Sequence, residues 1–152
     1  MRGFAEFYVD DSDINNFNAK CQVAIRNVFR GTKRATTEAA EEIMAESKRQ
    51  VPKDTSTLLA SAYYDVYRRT DTSSTYWAYE AVLGYGGNGD PINPKTGRPA
   101  SHYMVAVHED LDAFHENGKA KFLEDPVRDY AARKFKRAVI ECVREALADM
   151  SD

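Results

Sequence analysis

Residues 11–52, DSDINNFNAKCQVAIRNVFRGTKRATTEAAEEIMAESKRQVP, decide the architecture of this chain. Their apolar positions are Ile14, Phe17, Cys21, Ile25, Val28, Ala35, Ala39 and Ile43, with steps that average close to the helical period. Thr32 and Glu46 fill the missing beats without a change of phase. Asp11, Ser12 and Asp13 offer N-caps at one end, and Pro52 stops the pattern at the other. The reading is one helix over about residues 12–50, about 37 residues and about 55 Å at the standard rise. Gly31 is its weak point, because glycine inside a helix costs about 1 kcal/mol relative to alanine. Two helices meeting near Gly31-Thr32 are the alternative.

Upstream, residues 3–9 (GFAEFYV) are aromatic and β-branched and predict a short strand. Downstream, residues 57–70 and 75–85 alternate as two strands: Ala62, Tyr64 and Val66 against Tyr63, Asp65 and Tyr67, then Tyr76, Ala78 and Glu80 against Trp77, Tyr79 and Ala81. A polar link, residues 70–74, suits a hairpin. The Gly/Pro-rich stretch 84–99 is too long for a tight turn, and loops of that length are usually functional arms or disordered. Residues 102–108 predict a further strand. Asp125 then caps a last helix with Pro126 at its first position, and its apolar stripe runs through Val127, Phe135, Ala138, Cys142 and Leu147. The sum is a single α+β domain over residues 1–152: an antiparallel β-sheet packed against a long N-terminal helix and a C-terminal helix.

A chain of 152 residues can bury its own core, and no apolar run approaches a membrane span. The polar start, followed by an acidic run, is no signal peptide. A net charge of −3 argues against a general duplex-DNA binder, which needs a basic face. Cys21 and Cys142 lie on apolar faces of the two predicted helices and read as small buried hydrophobes in a reducing compartment.

Candidate chemistry is thin. His102, His108 and His115, with Glu109, Asp110, Asp112 and Glu116, supply ligand types for a metal but none of the tight His-x3-His or Cys-x2-Cys pairs that zinc sites use. A nuclease built on the His115-Glu116-Asn117-Gly118-Lys119 stretch lacks the second histidine its chemistry requires. The glycines of 84–89 precede no helix and no Gly-Lys-Ser/Thr ending, so no phosphate loop is indicated. Tyr63, Tyr64, Tyr67, Tyr76, Tyr79, Tyr85 and Tyr103 lie on or beside predicted strands and serve either a protein interface or a solvated outer sheet face.

Three short segments are more specific together than apart: Val51-Pro52-Lys53-Asp54-Thr55 leading into Leu58-Leu59-Ala60-Ser61, then Tyr103-Met104-Val105-Ala106-Val107-His108-Glu109, then Lys121-Phe122-Leu123-Glu124. In order and spacing, over roughly residues 35–145, they resemble the head–tail joining proteins of tailed bacteriophages, also called tail-completion, neck or minor capsid proteins. Ser56 departs from that pattern, standing where glycine is usual, and the 84–99 insertion is long. The resemblance implies a structural virion protein with no reaction to catalyse and no cofactor. It implies a ring of six copies, or twelve, that joins the head (portal, adaptor or head-closure ring) to the tail (terminator or tube protein). Such a protein is made in the host cytoplasm and located in the virion neck, with no membrane contact. DNA passes through its channel without sequence-specific binding, and six copies would carry about −18, enough to repel a polyanion in the bore. A tail terminator or other minor virion protein is the alternative within the class, and a metal-dependent hydrolase or nuclease using the His108/His115 region is the alternative outside it. On the ring reading the expected interface residues are Tyr85, Asn88, Pro91, Asn93 and Arg98 in the loop, with His108, Glu109, His115 and Lys119 beside it. Phe122 and Leu123 are expected to anchor the last helix.

Overall fold

The computed structural model describes residues 10–69, 78–87, 89–113, 115 and 117–148. The strand expected over residues 3–9, the hairpin link at 70–74, the first three residues of the strand expected from 75 and the interface candidate Asn88 lie outside them.

The long helix is single. Helix α1 (Asp11–Gln50) runs 40 residues, with the side chain of Asp10 accepting from the Ser12 amide as its cap. Asp11 and Asp13 sit at its positive end and Lys48 and Arg49 at its negative end, as the helix dipole favours. Gly31 is no break. It is buried where α1 meets the last helix, and an ideal Cβ there would lie 2.7 Å from the Cys142 carbonyl oxygen. Glycine is therefore the residue that permits this approach.

A short helix α2 (Thr57–Ala60) precedes strand β1 (Tyr63–Arg69), which pairs antiparallel with β2 (Ala78–Gly84). The strand expected from residue 57 thus begins six residues later. Thr57 and Leu58 need to be buried together, and a helical turn puts both inward where a strand would separate them. The register sets Tyr63 opposite Gly84 and Arg69 opposite Ala78. This two-stranded sheet lies along α1, held by Tyr64 Oη donating to Glu41 at 2.9 Å and by the Arg68 guanidinium over the Phe29 ring.

The strand expected over 102–108 is a helix. A 3₁₀ turn (Ala100–His102) leads into α3 (Met104–Glu109). Tyr103, Met104 and Val107 pack on the core while Val105 is 59 % exposed, an i, i+1, i+4 pattern that only a helix satisfies. The last helix also starts differently from expectation. Helix α4 (Glu124–Tyr130) has Leu123, not Asp125, at its N-cap. Pro126 falls in its first turn, where a missing N–H is tolerated. A π-helical segment (Ala131–Phe135) carries α4 directly into α5 (Lys136–Ala148).

The core gathers Met44, Val51, Leu58, Tyr85, Ala100 and Phe122, and a second cluster joins Ala39 and Ile43 to Tyr130. Leu83 touches both clusters. Outside this body stands the first part of α1, where every residue from 11 to 20 is exposed. Cys142 is buried and Cys21 half-buried, and neither forms a disulfide. Among the described residues no helix is long and apolar enough to cross a membrane.

Candidate interface surface

Residues 90–99 of the loop form a finger held by their own hydrogen bonds. Asp90 accepts from the Ser101 amide at 2.9 Å, and its carboxyl is held below the usual range by the Ser101 hydroxyl and amide. Beyond it the Ala100 amide donates to Pro91, Ile92 bridges Pro99, and the Asn93 amide donates to Arg98 at 2.8 Å. Gly97, at φ +67, donates back to Asn93 and closes the tip. An ion pair from Lys95 Nζ to Asp54 Oδ1, 2.5 Å, leans the finger on the turn after α1.

The interface candidates separate by position. Arg98 is exposed, while Pro91 near the finger's base and Asn93 beside its tip are half-buried. Tyr85 is corrected: it is 4 % exposed, its ring set edge-on against Phe122, and its hydroxyl lies 2.7 Å from Ser47 Oγ. Burial pushes its phenol pKa up, partly offset by the Ser47 bond. Tyr85 is a core residue.

His108 has a structural task. Its Nε2 accepts the amide of Glu124 at 3.3 Å, the first residue of α4, which the Leu123 side chain cannot cap. With Nε2 accepting, the proton lies on Nδ1, which donates to Glu109 Oε1 at 2.7 Å. The ring also meets Phe122 edge-on at 4.9 Å. Lys121, with φ +55, bridges Glu109 and Glu124, and the Glu109 carboxyl is held below its usual range by Lys121 first and His108 second. Lys119 pairs separately with Asp125 at 2.5 Å, which explains why Asp125 is no cap.

His115 lies elsewhere. It lines a cleft of about 230 Å³ with Asp54, Thr55, Ser56, Asn93 and Tyr103, and its Nε2 and the Tyr103 hydroxyl are both buried with no hydrogen-bond partner among the described residues. His108 faces an apolar hollow of about 220 Å³ lined by Tyr85, Met104, Val105, Phe122 and Leu123. The structure therefore does not bring His108 and His115 together. Among the described residues no group of three His, Cys, Asp or Glu side chains is placed to hold a metal ion.

The backbone shows the turn at Ser56, which the sequence had marked as a departure from glycine, and one further feature escaped the sequence reading. Ser56 stands in the left-handed region at φ 56, so it performs the turn for which glycine is the easier residue. The outer face of the last helix carries Arg133, Lys136, Arg137 and Arg144 with Glu141 around Ile140, a mainly cationic strip that the overall charge of −3 conceals, and Arg133 pairs with Asp129. Their i, i+3, i+4 and i+11 spacing from Arg133, with Ile140 at i+7, held the signal.

Comparison with protein-family models, with curated proteins and with solved structures gives no match.

Proposed function

We propose that this chain is a structural subunit of a tailed-phage neck, a ring-forming protein that joins head to tail and lines or seals the DNA channel. One observation carries the reading. The three segments behind the resemblance, separated by about fifty and fifteen residues in the chain, pack on one another: Val51, Leu58 and Phe122 share one core, with Tyr103, Met104 and Val107 against it. Backbone bonds tie them further, since the Lys119 amide donates to Gln50 at 2.9 Å and the Lys121 amide to His108 at 2.8 Å. Segments that form one structural unit keep their order and spacing for a physical reason, which strengthens a resemblance built on order and spacing.

The 90–99 finger and the exposed first part of α1 are then the parts available to neighbours. Rings need such projections because each subunit must offer one surface to the copy ahead and another to the copy behind. Arg98 and Lys95 at the finger and Glu109 and Lys119 beside α3 are the side chains that meet them, while Tyr85 and His108 keep the surface in shape.

The test replaces residues 93–98 by a two-glycine turn in the phage that encodes the chain. The expected result is a folded protein with an unchanged circular dichroism spectrum, and full heads and free tails that fail to join. Normal yields of joined particles from the variant, or from a null mutant, overturn the proposal.

A further inference from the structure

The first part of α1 carries apolar side chains with no cover from the described residues. Ile14 is 49 % exposed, Phe17 68 % and Ile25 50 %, while Cys21 and Val28 on the same stripe are half-buried. These five positions are spaced three, four, four and three residues apart, so the stripe reads the same in both directions about Cys21. Asn15 and Asn27 are mirrored about the same point.

Charge is arranged in the opposite sense. Asp10, Asp11 and Asp13 stand at one end of the stripe, and Arg26, Arg30 and Lys33 at the other. A parallel pair would set like charges side by side. An antiparallel pair sets each acidic end beside the partner's basic end, which lowers the energy of that arrangement alone.

We propose that two copies of this chain pair antiparallel through residues 14–28 of α1, with Cys21 at the two-fold axis. Ile14 then packs on the partner's Val28, Phe17 on the partner's Ile25, and Cys21 on the partner's Cys21. The spacing of three and four residues supplies the alternating contacts by which helices interlock. The interface is isologous and closed at two copies, so it belongs to the free protein and does not depend on the neck reading.

The full chain is examined by sedimentation velocity at tens of micromolar under reducing conditions, then under a mild copper–phenanthroline oxidant. The expected species is a dimer, converted to monomer by F17D with an unchanged unfolding temperature of the body. Oxidation should link the wild type and C142S through Cys21 but leave C21S unlinked. Register is read in a C21S/C142S background. F17C mixed with I25C should cross-link, whereas F17C alone should not, because its two copies lie about 12 Å apart along the axis, beyond disulfide reach. A monomeric wild type, with residues 1–9 or nothing on the stripe, overturns the proposal. So does an oligomer indifferent to F17D, or self-linking of F17C as fast as the mixed pair.

Discussion

Replacing Gly31 by alanine sets two effects of known sign against each other. In an isolated helix alanine is favoured over glycine by about 1 kcal/mol, so propensity alone predicts a more stable protein. The contact predicts the reverse. The added Cβ would lie 2.7 Å from the Cys142 carbonyl oxygen and 3.2 Å from the Ala146 Cβ, both well inside the roughly 3.5 Å at which such atoms rest. Neither neighbour can rotate away, since one is backbone and the other is fixed to its helix. Helix α5 must move off α1 by about half an ångström or more, against the ion pair of Arg34 with Glu145 that holds the two helices together. Overpacking of this kind costs about 1–3 kcal/mol, and subtracting the propensity gain leaves a net loss of about 1 kcal/mol. For a chain of this size that is a fall of roughly 2–4 °C in Tm. Thermal and urea unfolding followed by circular dichroism measure it. Adding A146G to G31A should restore only part of the loss, because the carbonyl contact stays. A G31A variant more stable than wild type by the full propensity gain refutes the close approach of α1 and α5.

Two further substitutions probe the neighbourhood of the interface surface. S56G relieves a left-handed residue whose side chain makes no cap bond, and should raise stability by about 0.5–1 kcal/mol in urea unfolding; a loss would mean that the hydroxyl matters. Y85F removes the buried bond to Ser47 and should cost about 1–2 kcal/mol, with S47A/Y85F losing less than the sum of the single changes. Because burial holds the Tyr85 phenol above its usual pKa, the folded state resists its ionisation, so its stabilising share is intact below the ordinary tyrosine value and is lost as pH rises through the raised one. Unfolding between pH 9 and 11 should therefore be steeper with pH in the wild type than in Y85F, and equal slopes would remove Tyr85 from the account.

What the sequence revealed depends on how many residues shared one signal. The stripe from Ile14 to Ile43 repeats often enough that neither Gly31 nor Thr32 obscures it, and α1 runs within a residue or so of the expected bounds. The segment 103–109 had only seven residues, and its valines suggest a strand. What decides it is that Tyr103, Met104 and Val107 must all reach the core formed by Val51 and Phe122, a demand made by residues far away in the chain. Asp125 misled for the same reason. It has the right chemistry for a cap, but Lys119 engages its carboxylate and His108 accepts the Glu124 amide in its place, sixteen residues away in sequence. Tyr85 sits in a glycine-rich loop whose composition signals exposure. Gly84 and Gly87 in fact leave room for the Tyr63 ring, and Tyr85 turns inward beside Phe122.

The first part of α1 joins fold to function. Residues 11–20 contain Asp11, Asp13, Asn15, Asn16 and Asn18, all poor helix formers, and no described residue buries them. An isolated helix of such composition is marginal in water, because nucleation is costly and propagation is weak. In this chain the nucleus is supplied at the other end, where Ala35, Ala39 and Ile43 are packed in the body, so the arm has only to propagate outward from a formed helix. Propagation alone leaves Phe17 and Ile25 in water, and each exposed apolar side chain forgoes about 1.5–3 kcal/mol that burial would supply. On the pairing proposed above, the phase-matched apolar stripe would stabilise a stretch so poor in helix formers through contacts made outside its own fold. Whether the arm meets a second free copy or a neighbour in a ring, its helicity and its binding are then one equilibrium. On that proposal, the exposed arm is also the part whose helicity a partner would most strengthen.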